Sequence, residues 1–219
     1  MAKLSRSQAL FRVVALSLAL LAGFTAAVAD NTAAPGTPQA TIEAVTREVR
    51  AALDARKEAL QKNPARVAAV VAKITDPYLD YTAMSEEALG VAWRRADAQQ
   101  KARFTKAFHQ LLTQDYTATL KQYSGQTVRV TGERWEDAQH HRVLVSSEVQ
   151  SPGEKPIDVG YRMYRTGGRW KVYDVIVEGT SLLINYRESF ADQLQHESLD
   201  ALVSQLEKKV AENQAGGSQ

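Results

Sequence analysis

"DAQQKARFTKAFHQLLTQDYTATLKQYSGQTVRVT", Asp97 to Thr131, is where this chain changes its period. Up to Tyr123 the apolar side chains return every three or four residues. Phe104, Phe108, Leu111, Leu112, Tyr116, Leu120 and Tyr123 therefore line one face of a helix over about six turns. Asp97 and Gln100 have the spacing of a capping box, with Asp in place of the usual Ser or Thr, and Ser124-Gly125 ends the helix. Beyond it the period is two. Val128 and Val130 alternate with Arg129 and Thr131, which is the pattern of a half-buried strand.

Working outward, the period of two persists toward the C-terminus. Val143, Val145 and Val149 alternate with polar residues, as do Val159, Tyr161 and Met163. Turn residues separate the runs at Asp137–His141, Ser151-Pro152-Gly153 and Gly167-Gly168, and a fourth run follows from Trp170 to Glu178. Four such runs predict an antiparallel meander. Helical spacing resumes after Gly179 with Leu182, Leu183, Tyr186 and Phe190. Ser198 then caps a last helix carrying Leu199, Leu202, Val203, Leu206 and Val210.

Toward the N-terminus the signals are helical. Thr37-Pro38 pairs an N-cap with a proline at the first helical position, ahead of a stripe of Ile42, Val45, Val49, Leu53 and Leu60. Asn63-Pro64 repeats that signal before Val67, Val70, Val71 and Ile74. Asp76-Pro77 interrupts again, and one more helix ends at Gly90. The whole is an α+β fold of one domain over residues 38–211, with helices first, a four-stranded antiparallel sheet, then helices.

The termini lie outside this pattern. Lys3, Arg6 and Arg12 precede the apolar run "VVALSLALLAGFTAAVA", which ends in Ala27-Val28-Ala29. That is the layout of a secretory signal peptide, residues 1–29, cleaved after Ala29; an uncleaved anchor is disfavoured because no stop-transfer charge cluster follows. A flexible segment, 30–37, is expected next, and a disordered tail at 212–219. Removing the leader's three basic residues takes the formal net charge from +2 to −1, so the basicity belonged to the leader. No patch suited to nucleic acid remains. The chain has no cysteine, which excludes disulfides, a thiolate metal site and a cysteine-linked lipid anchor.

Residues that could carry catalysis are few. His140-His141 fall in a turn and His109 lies beside the long apolar stripe; none has metal-ligand spacing, and no metal site is expected. Nucleophile-elbow and phosphate-loop motifs are absent. Asp174 is the one acidic residue inside an apolar strand. It reads as a structural carboxylate paired to an Arg or a backbone donor, with a general-base role as the alternative. The strand around it is unusual. Tyr173, Val175 and Val177 fall on one side, and Trp170, Val172 and Ile176 on the other, so both sides are apolar.

Two motifs carry a resemblance. "LGVAWRRADAQQKARFTKAFHQLLTQDYTATLKQYSGQ", Leu89 to Gln126, resembles the LG-x-x-W-R…Q-(K/R)-x-x-F-x-x-x-F…L-L-x-x-x-Y block of the MlaC, or toluene-tolerance, family. "WKVYDVIVEGTSLLINYRESF", Trp170 to Phe190, resembles that family's W-K-V-Y-D-V-x-V-E-G-V-S-L-x-x-x-Y-R-x-x-F block, with Thr180 where valine is usual. The likeness runs from about Gln39 to Val210.

It implies a periplasmic phospholipid carrier, acting as a monomer and not an enzyme. Such a carrier moves lipid between an outer-membrane lipoprotein–porin complex and an inner-membrane ABC transporter with an MCE-domain ring, and so maintains outer-membrane lipid asymmetry. It also implies a curved sheet covered by helices in a cone like that of nuclear transport factor two. The acyl tails lie between sheet and helices, with no cofactor besides the lipid cargo. Two tails hold about 28 methylenes, and burying each contributes about 0.8 kcal/mol, so exposing both in water costs on the order of 20 kcal/mol. A carrier must enclose them, which calls for a cavity of about 1,000 Å³.

The expected lipid-binding residues are Val143, Val145, Val159, Tyr161, Met163, Tyr173, Val175 and Val177 from the sheet, with Leu111, Leu112, Tyr116, Leu182 and Tyr186 from helices. Arg94 and Arg187 are candidates for headgroup phosphate or for surface ion pairs. Asp174, Glu178 and Gly179 are expected to shape the fold. Two other readings stand beside the carrier: a small hydrolase or isomerase on the same cone with Asp174 as base, and a structural envelope adaptor with a filled core.

Overall fold

A computed structural model gives the architecture, and it describes residues 36–120 and 122–216. The expected signal peptide, most of the flexible segment 30–37 and residues 217–219 of the expected tail lie outside the described residues. Helix α1, Pro38–Asp54, starts where Thr37 accepts the Ala40 amide at 3.1 Å, with Pro38 at its first position. It stops before Leu60, which sits instead in the short α2, Lys57–Lys62. Asn63 caps α3, Pro64–Thr75, through the Arg66 amide.

A 3₁₀ turn, Asp76–Tyr78, leads to α4, Tyr81–Leu89. Gly90 ends α4 at φ 55° and ψ −116°, backbone angles that a side chain resists. After the short α5, Val91–Arg95, comes α6, Ala98–Leu120, the longest helix described. Its capping box is reciprocal: the Gln100 amide donates to Asp97 at 2.8 Å and the Asp97 amide to Gln100 at 3.1 Å. Tyr123 lies past the helix, buried in the connection to the sheet.

The sheet is an open antiparallel meander of five strands, one more than the sequence predicts. They are β1 Thr127–Trp135, β2 Arg142–Gln150, β3 Ile157–Thr166, β4 Arg169–Val177 and β5 Thr180–Ser181. The fifth exists because Glu178 (φ 48°) and Gly179 (φ 77°) form a two-residue turn that folds the chain back on β4, pairing Val177 with Thr180 and Ile176 with Ser181. A left-handed glutamate is unusual. Here the Glu178 carboxylate accepts the Asp158 amide at 2.7 Å, while the Glu178 amide donates to the Asp158 carbonyl at 2.9 Å. Helix α7, Leu182–Gln193, follows at once, and α8, Leu199–Gly216, runs past Glu212, where the tail was expected to begin.

The two apolar sides of the fourth strand have a different cause from two-sided burial. Met163 pairs with Val172 and Arg162 with Asp174, so Tyr173 is an extra residue, a β-bulge. The bulge shifts the alternation by one. Trp170 and Val172 before it therefore face the same way as Val175 and Val177 after it. A second bulge at Thr131 breaks the β1–β2 register.

The helices are layered unevenly. Helices α1, α4 and α7 and the 3₁₀ turn reach the sheet, whereas α6 packs against α3, α4 and α8. Phe104 and Phe108 of α6 meet Tyr186 and Phe190 of α7 edge-on, with ring centroids 4.9 to 5.9 Å apart. The long helix is thus the centre of a helical layer and not the direct cover of the sheet.

Candidate functional site

The inner face of the sheet is built from alternate residues of β2, β3 and β4. Val143, Val145, Val159, Tyr161, Met163, Val175 and Val177 all lie there, each buried to 4% exposure or less. The expected sheet set comes together with one exception. Tyr173, the bulge residue, belongs to the opposite face. Its hydroxyl donates to Glu136 at 3.3 Å, the Arg142 guanidinium lies 5.3 Å from its ring centre, and the Tyr164 ring is 5.7 Å away. The bulge put it there, and no pattern within the strand itself announces a bulge.

The helical candidates form a second group, away from the sheet face. Leu111, Leu112 and Tyr116 are on α6, inside the helical layer. Tyr186 stacks beside Phe190 and donates to Asp115 at 2.9 Å; burial raises both the Tyr186 and the Asp115 pKa. Leu182 opens α7 just after β5.

Where helix meets sheet there is a narrow apolar crevice. Its walls are Ile42, Val45 and Thr46 of α1, then Thr75, Tyr78 and Leu79 of the turn after α3, over Tyr161, Val172 and Val175 of the sheet. Its volume is about 20 Å³. That is room for about one water molecule and far below the cavity two acyl chains require. The expected hollow is therefore closed at this place, and the inner face is packed as core. Most of these wall residues escaped the sequence reading. The sequence shows Ile42 and Val45 only as a helix stripe, and simple alternation puts Val172 on the wrong face of the strand.

A second, polar cleft of about 360 Å³ opens on the other side of β4. Glu136, Arg142, Arg162, Tyr173 and Asp174 line it from the sheet side, Ser181, Leu183, Ile184 and Arg187 from the start of α7, and Glu87 from α4. Glu136 accepts from Arg162 at 3.1 Å, and Arg187 pairs with Glu87, so two of the three arginines already have carboxylate partners. Burial, together with the charge of Glu136, raises the Tyr173 pKa to about 12.

Asp174 sits at the inner end of this cleft, 3% exposed. Its carboxylate accepts the Val175 amide at 2.8 Å, the Ser181 hydroxyl at 2.7 Å, the Leu183 amide at 3.4 Å and Arg162 at 3.4 Å. Burial raises its pKa, and these four donors oppose the rise. An acid whose oxygens are all engaged in this way holds strand, turn and helix together. Among the described residues no group of three or more His, Asp or Glu side chains could hold a metal ion, and no helix is long and apolar enough to cross a membrane.

A single α+β domain with a largely apolar inner sheet face, broken by Ser147, under a helical cover defines the class of architecture. The MlaC protein family model matches residues 43–208, and the chain belongs to that family. It is 30% identical over 170 residues to the toluene tolerance protein ttg2D of Pseudomonas putida, covering 77% of this chain and 78% of that one. It is 24% identical over 163 residues to the intermembrane phospholipid transport system binding protein MlaC of Haemophilus influenzae, covering 73% and 76%. Among solved structures it is similar to a phospholipid-binding protein of Ralstonia solanacearum in complex with a phospholipid. There the TM-score is 0.62 and the identity 27%, with 80% of this chain and 97% of that chain covered.

Proposed function

We propose that this protein is a non-enzymatic phospholipid carrier of the periplasm, exported by a signal peptide over residues 1–29. It takes lipid from one membrane-embedded complex and delivers it to another, an outer-membrane lipoprotein–porin assembly and an inner-membrane ABC transporter with an MCE-domain ring. The observation that carries the reading is the match, over most of both chains, to a structure solved with a phospholipid bound. The buried, largely apolar face of β2, β3 and β4 supports it chemically, since acyl tails gain by contact with apolar side chains. The helical layer would complete a cone-like shell around the tails.

In this reading the closed crevice is the empty state. A void the size of two acyl chains costs free energy in proportion to its volume, so an unloaded carrier gains by letting its cover settle onto the sheet. The sheet residues Val143, Val145, Val159, Tyr161, Met163, Val175 and Val177 then serve as core when empty and as lining when loaded. Leu111, Leu112, Tyr116, Leu182 and Tyr186 would approach cargo only through a larger rearrangement of the helical layer. Tyr173 is left out of the lining.

The close packing around this crevice, among the described residues, favours one other reading, an envelope adaptor with a filled core. Incubating the purified protein with phospholipid vesicles, separating it, and extracting bound lipid for mass spectrometry decides between them. The carrier gains phospholipid in proportion to protein. A protein that stays lipid-free both as purified and after vesicles is the adaptor. Asp174 as a general base finds no support, because four donors occupy its carboxylate.

A further inference from the structure

We propose that one end of the sheet, where the β1–β2 and β3–β4 turns lie side by side, is a docking face for an anionic phospholipid bilayer. This face is independent of the carrier reading: its partner is the membrane surface itself, neither the cargo nor the complexes embedded in the membranes. In a meander of order β1-β2-β3-β4-β5 alternate turns fall at the same end. Neighbouring strands are about 4.8 Å apart, so the two turns sit roughly 10 Å from each other. The turns and the strand ends beside them carry Arg134, Arg142, Arg165, Arg169 and Lys171 against Glu133, Glu136 and Asp137.

The bases are free to meet a partner and the acids mostly are not. All four arginines are exposed. Among the described residues none of the five basic side chains is in an ion pair; Arg142 only rests 5.3 Å from the Tyr173 ring centre. Glu136 is held by Arg162 at 3.1 Å, and Asp137 accepts the His141 and Arg142 amides within its own turn. The opposite end reverses the balance. There the β2–β3 and β4–β5 turns and their strand ends carry Glu148, Glu154, Asp158 and Glu178 against Arg129 and Lys155. A nine-residue strand such as β4 spans about 30 Å, several times the screening length of about 8 Å at physiological salt. The acidic end therefore does not cancel the basic one, and a chain of nearly balanced charge is polarised along its strands.

The chemistry favours a bilayer over a protein surface. Neither turn carries an exposed large apolar side chain; Val91 and Ile184, the two among the described residues, are on α5 and α7. A protein interface has an apolar core to bury, and these turns offer none. Phosphates on a fluid surface demand no shape fit, and they pair well with planar guanidinium groups. The two turns are also tied together. Trp135 stacks on His140 with ring centres 4.6 Å apart and meets Trp170 at 5.9 Å, linking the end of β1 to the start of β4. A charge array ordered in advance loses little freedom on binding.

Co-sedimentation reads protein adsorbed to vesicles, not lipid extracted from them. The protein purified after export is incubated with vesicles of phosphatidylcholine, or of phosphatidylcholine and phosphatidylglycerol in equal parts. It is expected to adsorb to the anionic vesicles alone and to leave them as salt rises from about 0.05 M to about 0.5 M. Arg165→Gln with Arg169→Gln removes two exposed side chains that have no partner, and should weaken adsorption about 25-fold at low salt. The charge-matched pair Arg129→Gln with Lys155→Gln, at the acidic end, should not weaken it. No adsorption, equal adsorption to both kinds of vesicle, or equal loss in the two variants overturns the proposal. Binding to a poly-glutamate matrix with anionic vesicles ignored assigns the patch to an acidic protein and overturns it as well.

The absence of cysteine permits single labels that report orientation. An environment-sensitive fluorophore at Gln139→Cys, exposed in the β1–β2 turn, is expected to shift to the blue on anionic vesicles. The same label at Glu154→Cys, exposed in the β2–β3 turn, is expected to stay unchanged. An equal shift at both positions, or a shift at Glu154→Cys alone, overturns the proposal.

Discussion

The Ser181 hydroxyl donates to Asp174 at 2.7 Å while accepting the Ile184 amide at 3.1 Å. One side chain thereby ends a hairpin and caps a helix, so β4, the Glu178-Gly179 turn and α7 are set by a single chain of hydrogen bonds. Asp174→Ala leaves the Ser181 hydroxyl and the Leu183 amide without their acceptor and is expected to cost about 2–3 kcal/mol. Ser181→Ala, losing the cap and the bond together, should cost about 1–2 kcal/mol. Urea midpoints measure both. An Asp174→Ala protein as stable as wild type would contradict the structural role given to this carboxylate.

At Gly90 the backbone conformation, φ 55° with ψ −116°, lies where side chains are strained whatever the space available. An added Cβ would meet the Arg187 side chain at an ordinary 3.5 Å, so the cost of Gly90→Ala is conformational, about 1–3 kcal/mol. Gly125→Ala, at φ 94° in open space, makes a comparison outside the helix layer. Thermal unfolding of the two variants is expected to show a lowered midpoint in each.

Burial holds the His109 pKa below its ordinary 6.5, against the pull of Asp76 at 3.8 Å. The unfolded chain therefore binds the proton more tightly than the folded one. Stability from this group is complete above pH 6.5 and declines as pH falls through 6.5 toward the folded value. Urea midpoints at about pH 7.5 and about pH 5.5 should differ less in His109→Gln than in wild type. Equal differences would remove His109 from the pH response.

Loading with phospholipid is expected to raise the unfolding midpoint, because lipid binds the folded chain alone. At one hundred times the dissociation constant the gain is about 2.7 kcal/mol, a shift of several degrees for a domain of this size. Tyr173→Phe, on the far face of the sheet, should keep the whole shift. Its loss in that variant would return Tyr173 to the lining.

Local chemistry was readable in the sequence. Thr37-Pro38, Asn63-Pro64, Gly90 and the Asp97–Gln100 pair each place a helix end through bonds made within a few residues, and the structure has them all. The meander was readable from the period of two. What escaped depends on partners distant in sequence. The bulge at Tyr173 is defined only against Arg162 and Met163, so alternation within Trp170–Val177 assigned Tyr173 inward and Val172 outward. The apolar stripe of α6 was equally clear, but a stripe does not say whether a sheet or other helices will cover it.

The margins of the sheet have a consequence for how this chain meets copies of itself. On one border β5 is two residues long; on the other, β1 is kinked at Thr131 and carries exposed Arg129, Glu133 and Arg134. Neither border offers the long, flat, uncharged rim on which a second copy could template itself. Cargo exchange that exposed the inner face would therefore leave these edges unable to seed fibrils.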